Sequence, residues 1–474
     1  MTLYQPSIAC CKAGIARRDI TPPIGIYNRS WGAALHETAE GIHRPFTATA
    51  LALQNAEDES LLLLAVDIGW LEQSETDLIQ EKVRDGIGID RSGLLIALCH
   101  SHAGPNLSRS LTGKPGGDKI EPYLEDLATM CAEAADEAVE NLRDALITFG
   151  LGRCDLATNR DFWDETSSQF VTGFNSEGEA DDTLMVARIS NSDGQTVATL
   201  YNYGCHPTTL GPPNKLLSPD YIGAAREVLE NHFDAPSLFI LGACGDTGPR
   251  EGFVGDVEVA DRNGRQLGLA AASALESLMP VGQQFAYVGP IISGTTIGDW
   301  QHEPIGEAKL ANASVLRSRI ISIELPLMPR ESEEALKQRY DETAKALEDA
   351  IAGGDHVAIR DATALHERAR RRLLRSPDLP EGDTLSFEFW LWQVGDAFVV
   401  AIPAEPYGLF QTELRRRFPN RPIFVSVVTN GTIAYMLPRD LYGNNFYQEW
   451  VSYSGPGCLE IMIDAAAKGI EEWL

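Results

Sequence analysis

Nine histidines occur in 474 residues, and three of them stand where apolar runs end. The run Leu94–Leu98 leads through Cys99 into His100-Ser101-His102, and Gly104-Pro105 closes the segment. Side chains of a strand alternate between faces, so His100 and His102 are expected on one face and Cys99 on the other. Two such imidazoles can share a metal ion, or one can bind it while the other moves protons beside it. The run Thr196–Tyr203 repeats the arrangement and ends at Gly204-Cys205-His206-Pro207. A third run, Leu238–Leu241, enters the turn Gly242-Ala243-Cys244-Gly245-Asp246-Thr247-Gly248-Pro249. Backbone N–H groups of such a turn can hold an oxyanion, and Asp246 can orient a histidine. Val399–Ile402 then delivers Glu405 at a fourth strand end. Two histidines with a glutamate make the His2Glu set common in catalytic zinc sites, which leaves one position for water. Taken singly, each feature has a structural reading. A strand-end histidine can be a satisfied core residue, and Glu405 can favour a helix N-terminus.

The elements that must position these residues alternate along the chain. Strands are expected at Phe46–Leu53, Leu61–Ile68, Leu94–Cys99, Thr196–Tyr203, Leu238–Leu241, Val315–Leu325, Leu385–Trp392, Ala397–Ile402 and Ile423–Val428. Helical spacing marks Glu121–Leu142, Asp220–His232, Val257–Leu278, Ser332–Ala352, Tyr407–Arg417 and Gly457–Trp473. The charged stretch Ser332–Arg375 reads as an exposed helical hairpin broken at Gly353-Gly354, with Arg370–Arg372 on a solvated face. Interleaved strands and helices imply a mixed α/β (α+β) fold, with central sheets flanked by helices in one large catalytic domain over residues 1–474.

Composition sets limits. A formal net charge of −29 repels nucleic acid and anionic membrane, and it disfavours a polyanionic substrate unless the site is locally basic. The segment Met1–Cys11 has no basic and apolar leader pattern, and no run reaches the roughly 18 apolar residues of a membrane span. A cytoplasmic protein with free thiols at its eight scattered cysteines is expected. Cys99, Cys205 and Cys244 read as small buried residues rather than ligands. Oligomeric state is left open.

The motifs also occur in a recognisable order. Gly14–Thr21, Gly41-Ile42-His43-Arg44 and the strand ending in Asp67 come first. The His-x-His-x-Gly-Pro segment at His100, Asn159-Arg160 and Cys-His-Pro-Thr at His206 follow. Gly-Asp-x-x-Pro at Asp246, Pro-x-Glu at Glu405 and Asn430–Tyr435 complete the set. Together they resemble the neutral/alkaline ceramidase family from about residue 12 to the end. The resemblance implies that His100, His206, Glu405 and Tyr435 hold Zn2+, and that His102 and Arg160 line the site. It departs from the family in three places. Gly248 stands where the family turn carries a serine, and Thr432 replaces the first of two tyrosines. The sequence also runs only a short way past Tyr435, so no C-terminal immunoglobulin-like domain is expected. The expectation is a zinc hydrolase that cleaves the amide of a soluble N-acyl compound, rather than membrane ceramide, by attack of metal-activated water. His102 would pass a proton to the leaving amine, and Tyr435 or Arg160 would stabilise the oxyanion. Asp246 would orient His100 or His102. An esterase or lactonase on the same site, or a non-catalytic ligand-binding protein, are the alternatives.

Overall fold

A computed structural model describes residues 2–375 and 380–474. Apolar residues alternate between two faces along the central strands, and both faces are buried. In Ser60–Val66, for example, Leu62, Leu64 and Val66 enter one core while Leu61, Leu63 and Ala65 enter the other. A strand buried on both sides must be sandwiched. The sheet it belongs to has eight strands: Ser237–Leu241, Thr196–Tyr203, Thr183–Asn191, Arg143–Arg153, Ser7–Asp19, Thr47–Gln54, Ser60–Val66 and Leu94–Leu98, in that spatial order. The two outermost pairings are parallel and the rest antiparallel.

Helices Gln73–Ile87, Ile120–Glu140, Tyr221–Phe233 and Val257–Glu276 cover one face. The other face packs on a four-stranded sheet of Leu316–Pro326, Thr384–Val394, Ala397–Ala401 and Ile423–Ser426, through Trp390, Trp392 and Phe424. Helices Leu409–Arg417 and Cys458–Glu471 close the far side, giving helix, sheet, sheet and helix layers. The expected mixed α/β class is what forms. The charged hairpin also forms, as Glu333–Gly353 and His356–Arg375, turning at Gly354 with φ +73°.

His100 and His206 follow strands far apart in the eight-stranded order. They meet because the sheet curls and the segment 427–430 ties its two edges. Val427 N–H donates to Leu241 O at 2.9 Å on one edge. On the other, Leu98 N–H donates to Val428 O at 3.4 Å and Asn430 N–H to Ile96 O at 3.0 Å. The Asn430 side chain adds a strand-like pair, accepting from Ile96 N–H and donating to Leu94 O, both at 2.9 Å. Val428, Asn430 and Ala434 hold positive φ of 48°, 59° and 70°. Such backbone is costly for a β-branched residue and persists only where the surroundings over-determine it.

Candidate active site

The strand Leu94–Leu98 stops before either histidine, and His100 takes φ +65°. A left-handed turn, not strand alternation, therefore brings His100 and His102 together. The Cys99 thiol points to Ile68 O, away from them. His100 Nδ1 lies 2.7 Å from Gly69 O. A carbonyl only accepts, so Nδ1 carries a proton, and in the neutral ring Nε2 offers its lone pair. That Nε2 is 3.2 Å from Glu405 Oε2. His206 follows its strand from the other side. Its Nδ1 is 3.8 Å from the same carboxylate oxygen, and its Nε2 is 3.0 Å from His102 Nε2.

Glu405 and Tyr435 are direct partners in a short parallel ladder, Glu405–Pro406 with Tyr435–Met436. Gly245 lets that ladder come close, since a Cβ there would meet Glu405 O at 2.7 Å. Arg160 arrives on Ala157–Asn159, which pairs with Thr247–Pro249. Its guanidinium donates to Gly245 O through Nη2 at 2.8 Å and sits 5.5 Å from the Tyr435 ring. The Tyr435 hydroxyl lies near enough to Arg160 and Glu405 to act electrostatically on both. His100, His206, Arg160, Glu405 and Tyr435 are buried, and His102 is partly exposed.

A family model described as neutral/alkaline non-lysosomal ceramidase, N-terminal, matches residues 11–254. The chain belongs to the neutral/alkaline non-lysosomal ceramidase family. Among solved structures, it is similar to neutral ceramidase from Pseudomonas aeruginosa at 14% identity and a TM-score of 0.65, covering 99% of this chain and 75% of that one. A ceramidase complexed with C2 matches at 14% identity and 0.64, covering 99% and 76%. At that identity the likeness is one of fold. Membership implies a hydrolase acting on amide bonds.

The ceramidase-family site suits a cation. Its three histidines offer nitrogens within 4.8 Å of one another. Two nitrogens on one tetrahedral zinc, at Zn–N of 2.0–2.1 Å, stand about 3.3 Å apart, close to the His102–His206 spacing. The His100 lone pair facing the Glu405 oxygen also requires a proton or a cation between them. His102 thus falls inside the cluster of possible ligands, whereas the sequence reading kept it for proton transfer.

Burial lowers the proton affinity of both His102 and His206, and nearby positive groups, Arg160 among them, add to this. Burial pushes the Glu405 carboxyl up, but His100, Arg160 and Tyr435 outweigh it and hold it below the usual range. Burial and then Glu405 push the Tyr435 phenol up, while Arg160 opposes them. Burial keeps the Cys244 thiol protonated, although its Sγ is 3.7 Å from His206 Nδ1.

Asp246 does not orient a histidine. Its carboxylate accepts from Gly408 N–H at 2.7 Å, and its main-chain oxygen accepts from Arg160 N–H at 2.9 Å. The partner expected of it is supplied by Gly69 O. At Gly248 a Cβ would meet Thr208 Oγ1 at 3.6 Å and Arg160 Cδ at 3.9 Å, so the serine of the family pattern would fit. Thr247 does not replace it, because its hydroxyl donates to Gly204 O at 3.0 Å.

Several neighbours are invisible in the sequence. Trp31 and Trp70 flank His102, with ring centroids at 5.0 and 5.6 Å. Asp161 accepts from the Tyr407 hydroxyl at 2.9 Å and from Gln448 Nε2 at 2.7 Å, behind Arg160. Arg371 is 42% exposed, as expected of a solvated face, and its charge is the smallest of the influences on His102.

Proposed function

We propose that this chain is a zinc-dependent hydrolase that cleaves the amide of soluble N-acyl compounds with water as the nucleophile. The convergence of His100, His206, Glu405 and Tyr435 from four separate segments carries this reading. These residues would hold the ion, and His102 Nε2 is close enough to reach it too, although its partial exposure leaves it available to the leaving group. Zinc supplies a Lewis acid that brings the pKa of water toward ~7 and polarises an acyl carbonyl. The residues supply the rest. Arg160 is positive and buried, so its charge acts at low dielectric on an oxyanion forming beside Tyr435. The Tyr435 hydroxyl is a second donor there. His102 is the most exposed of the cluster, so its imidazole is placed to take a proton from the attacking water and pass it to the leaving amine.

Water is favoured as the nucleophile because the nearby hydroxyls are engaged. Thr247 donates to Gly204 O, Thr208 to His206 O, and position 248 has no side chain. A soluble substrate is favoured by the net charge of −29. Among the described residues, no helix is long and apolar enough to cross a membrane. Eight unpaired cysteines favour a cytoplasmic location. Metal analysis with amide and ester panels on His100→Ala and Glu405→Ala tests the assignment. Both variants are expected to lose zinc and amide hydrolysis. Full zinc occupancy with full activity in both would overturn it.

A further inference from the structure

The His356–Arg375 helix stands outside the layered core, yet it touches both segments that cover the cluster. Ala364 Cβ comes within 3.0 Å of where a Cβ on Gly32 would be, and Glu367 pairs with Arg29 Nη1 at 3.5 Å. Residues 29–32 carry Trp31, whose ring lies on His102. At the other contact, Arg368 lies 3.3 Å over the Trp450 ring, in the short helix whose Tyr447 packs on Tyr435. The helix therefore forms a wall beside the exposed side of the cluster.

That wall is basic in a strongly acidic protein. Arg29 and Arg371 share the single carboxylate Glu367, at 3.5 and 3.9 Å. Arg339 and Arg372 share Glu331. Arg368 has a ring rather than a carboxylate beneath it. Among these groups, five guanidiniums face two carboxylates. Donors are also left over. Arg29 Nε and Trp31 Nε1 are buried without a partner, and neither atom can accept. Buried donors without acceptors are costly, and a charged acceptor satisfies them best.

We propose that Arg29, Trp31 and Arg371 bind an anionic oxyacid group on the amine half of the substrate, so that the preferred substrates are acidic amides of the N-acyl amino acid type. This rests on the amide-hydrolase reading, in which His102 serves the leaving amine; groups flanking His102 then touch that half. The reaction balances without a further reagent. Water adds its oxygen to the acyl carbon, the C–N bond breaks, and both protons of that water end on the amine, one as it leaves and one from the newly formed carboxylic acid. The acyl product is a carboxylate, and the other product is a zwitterionic amino acid.

The test compares amides that share one acyl chain: N-acylglycine, N-acyltaurine, N-acyl-phosphoethanolamine and neutral N-acylethanolamine. The native enzyme is expected to prefer at least one acidic member by about 10-fold or more in kcat/KM, the scale of a hydrogen bond to a charged group. The acidic arms identify which oxyacid fits. Arg371→Ala should reduce that preference ratio through KM, Arg371→Lys should restore part of it, and raised salt should weaken it. Titration calorimetry of N-acylglycine on chelator-treated protein is the second arm, with weaker binding expected for Arg371→Ala. Equal use of acidic and neutral amides by the native enzyme overturns the proposal. So does an unchanged preference ratio in Arg371→Ala. If no amide is hydrolysed, the amide reading fails and calorimetry alone decides: binding unaffected by Arg371→Ala overturns the anion site as well.

Discussion

Asp246→Asn separates a structural carboxyl from a catalytic one. Burial raises the Asp246 carboxyl to about 6, against an ordinary value of 3.8. A carboxyl raised in the folded state stabilises the fold at low pH, and the contribution disappears as pH climbs through the folded value. Between pH 5 and pH 8, a shift of that size removes about 1.4 kcal/mol of stability. Asparagine keeps an acceptor for Gly408 N–H, and the main-chain oxygen that receives Arg160 N–H is untouched. The variant should fold, and its stability should fall less between pH 5 and pH 8 than that of the native chain, by about 1.4 kcal/mol. Urea unfolding at the two pH values measures this. Activity should stay within a few-fold of native. In a Ser-His-Asp triad, the same change at the orienting aspartate costs about 10⁴ in kcat. A parallel pH dependence of stability in the two proteins would refute the electrostatic argument. A loss of 100-fold or more in kcat with folding intact would return Asp246 to the machinery.

Asp67→Ala removes the partner of Arg226, a buried pair at 2.7 Å that also engages Thr47, and should cost about 3–5 kcal/mol in urea unfolding. An effect below about 1 kcal/mol would show that water reaches the pair. Gly248→Ser should fold with an unchanged melting temperature, because its Cβ meets only ordinary contacts. With water as nucleophile, kcat should move only a few-fold. A large gain with a trapped covalent acyl-enzyme would show that the pocket is built for a serine.

The strand ends were legible because apolar runs point at them. Leu94–Leu98, Thr196–Tyr203 and Ser237–Leu241 lie within a residue or two of their expected bounds. Other elements hide their signal. The strand Ser7–Asp19 is broken up in sequence by Lys12, Arg17 and Arg18, and the last two pair with Glu230 and Glu137 on covering helices. The helix Gln73–Ile87 buries Glu75, Thr76 and Gln80 along with Ile79 and Val83, which blurs its apolar stripe. In the site, residue type and order pointed to His100, His206 and Glu405. The partner of a given group was not legible, because tertiary packing chooses it. Gly69 O takes the place expected for Asp246. Trp31 joins the site only through a contact between distant segments.

The tie between Leu241 and Ile96 also limits where this chain can be divided. Residues 11–254 contain both outer strands but none of 427–430. Cut there, the protein would leave main-chain groups of Leu94, Ile96, Leu98 and Leu241 unpaired on two five-residue apolar strands, an invitation to intermolecular pairing. The N-terminal region is thus half of a closed assembly, and a soluble expression fragment must extend past Tyr435.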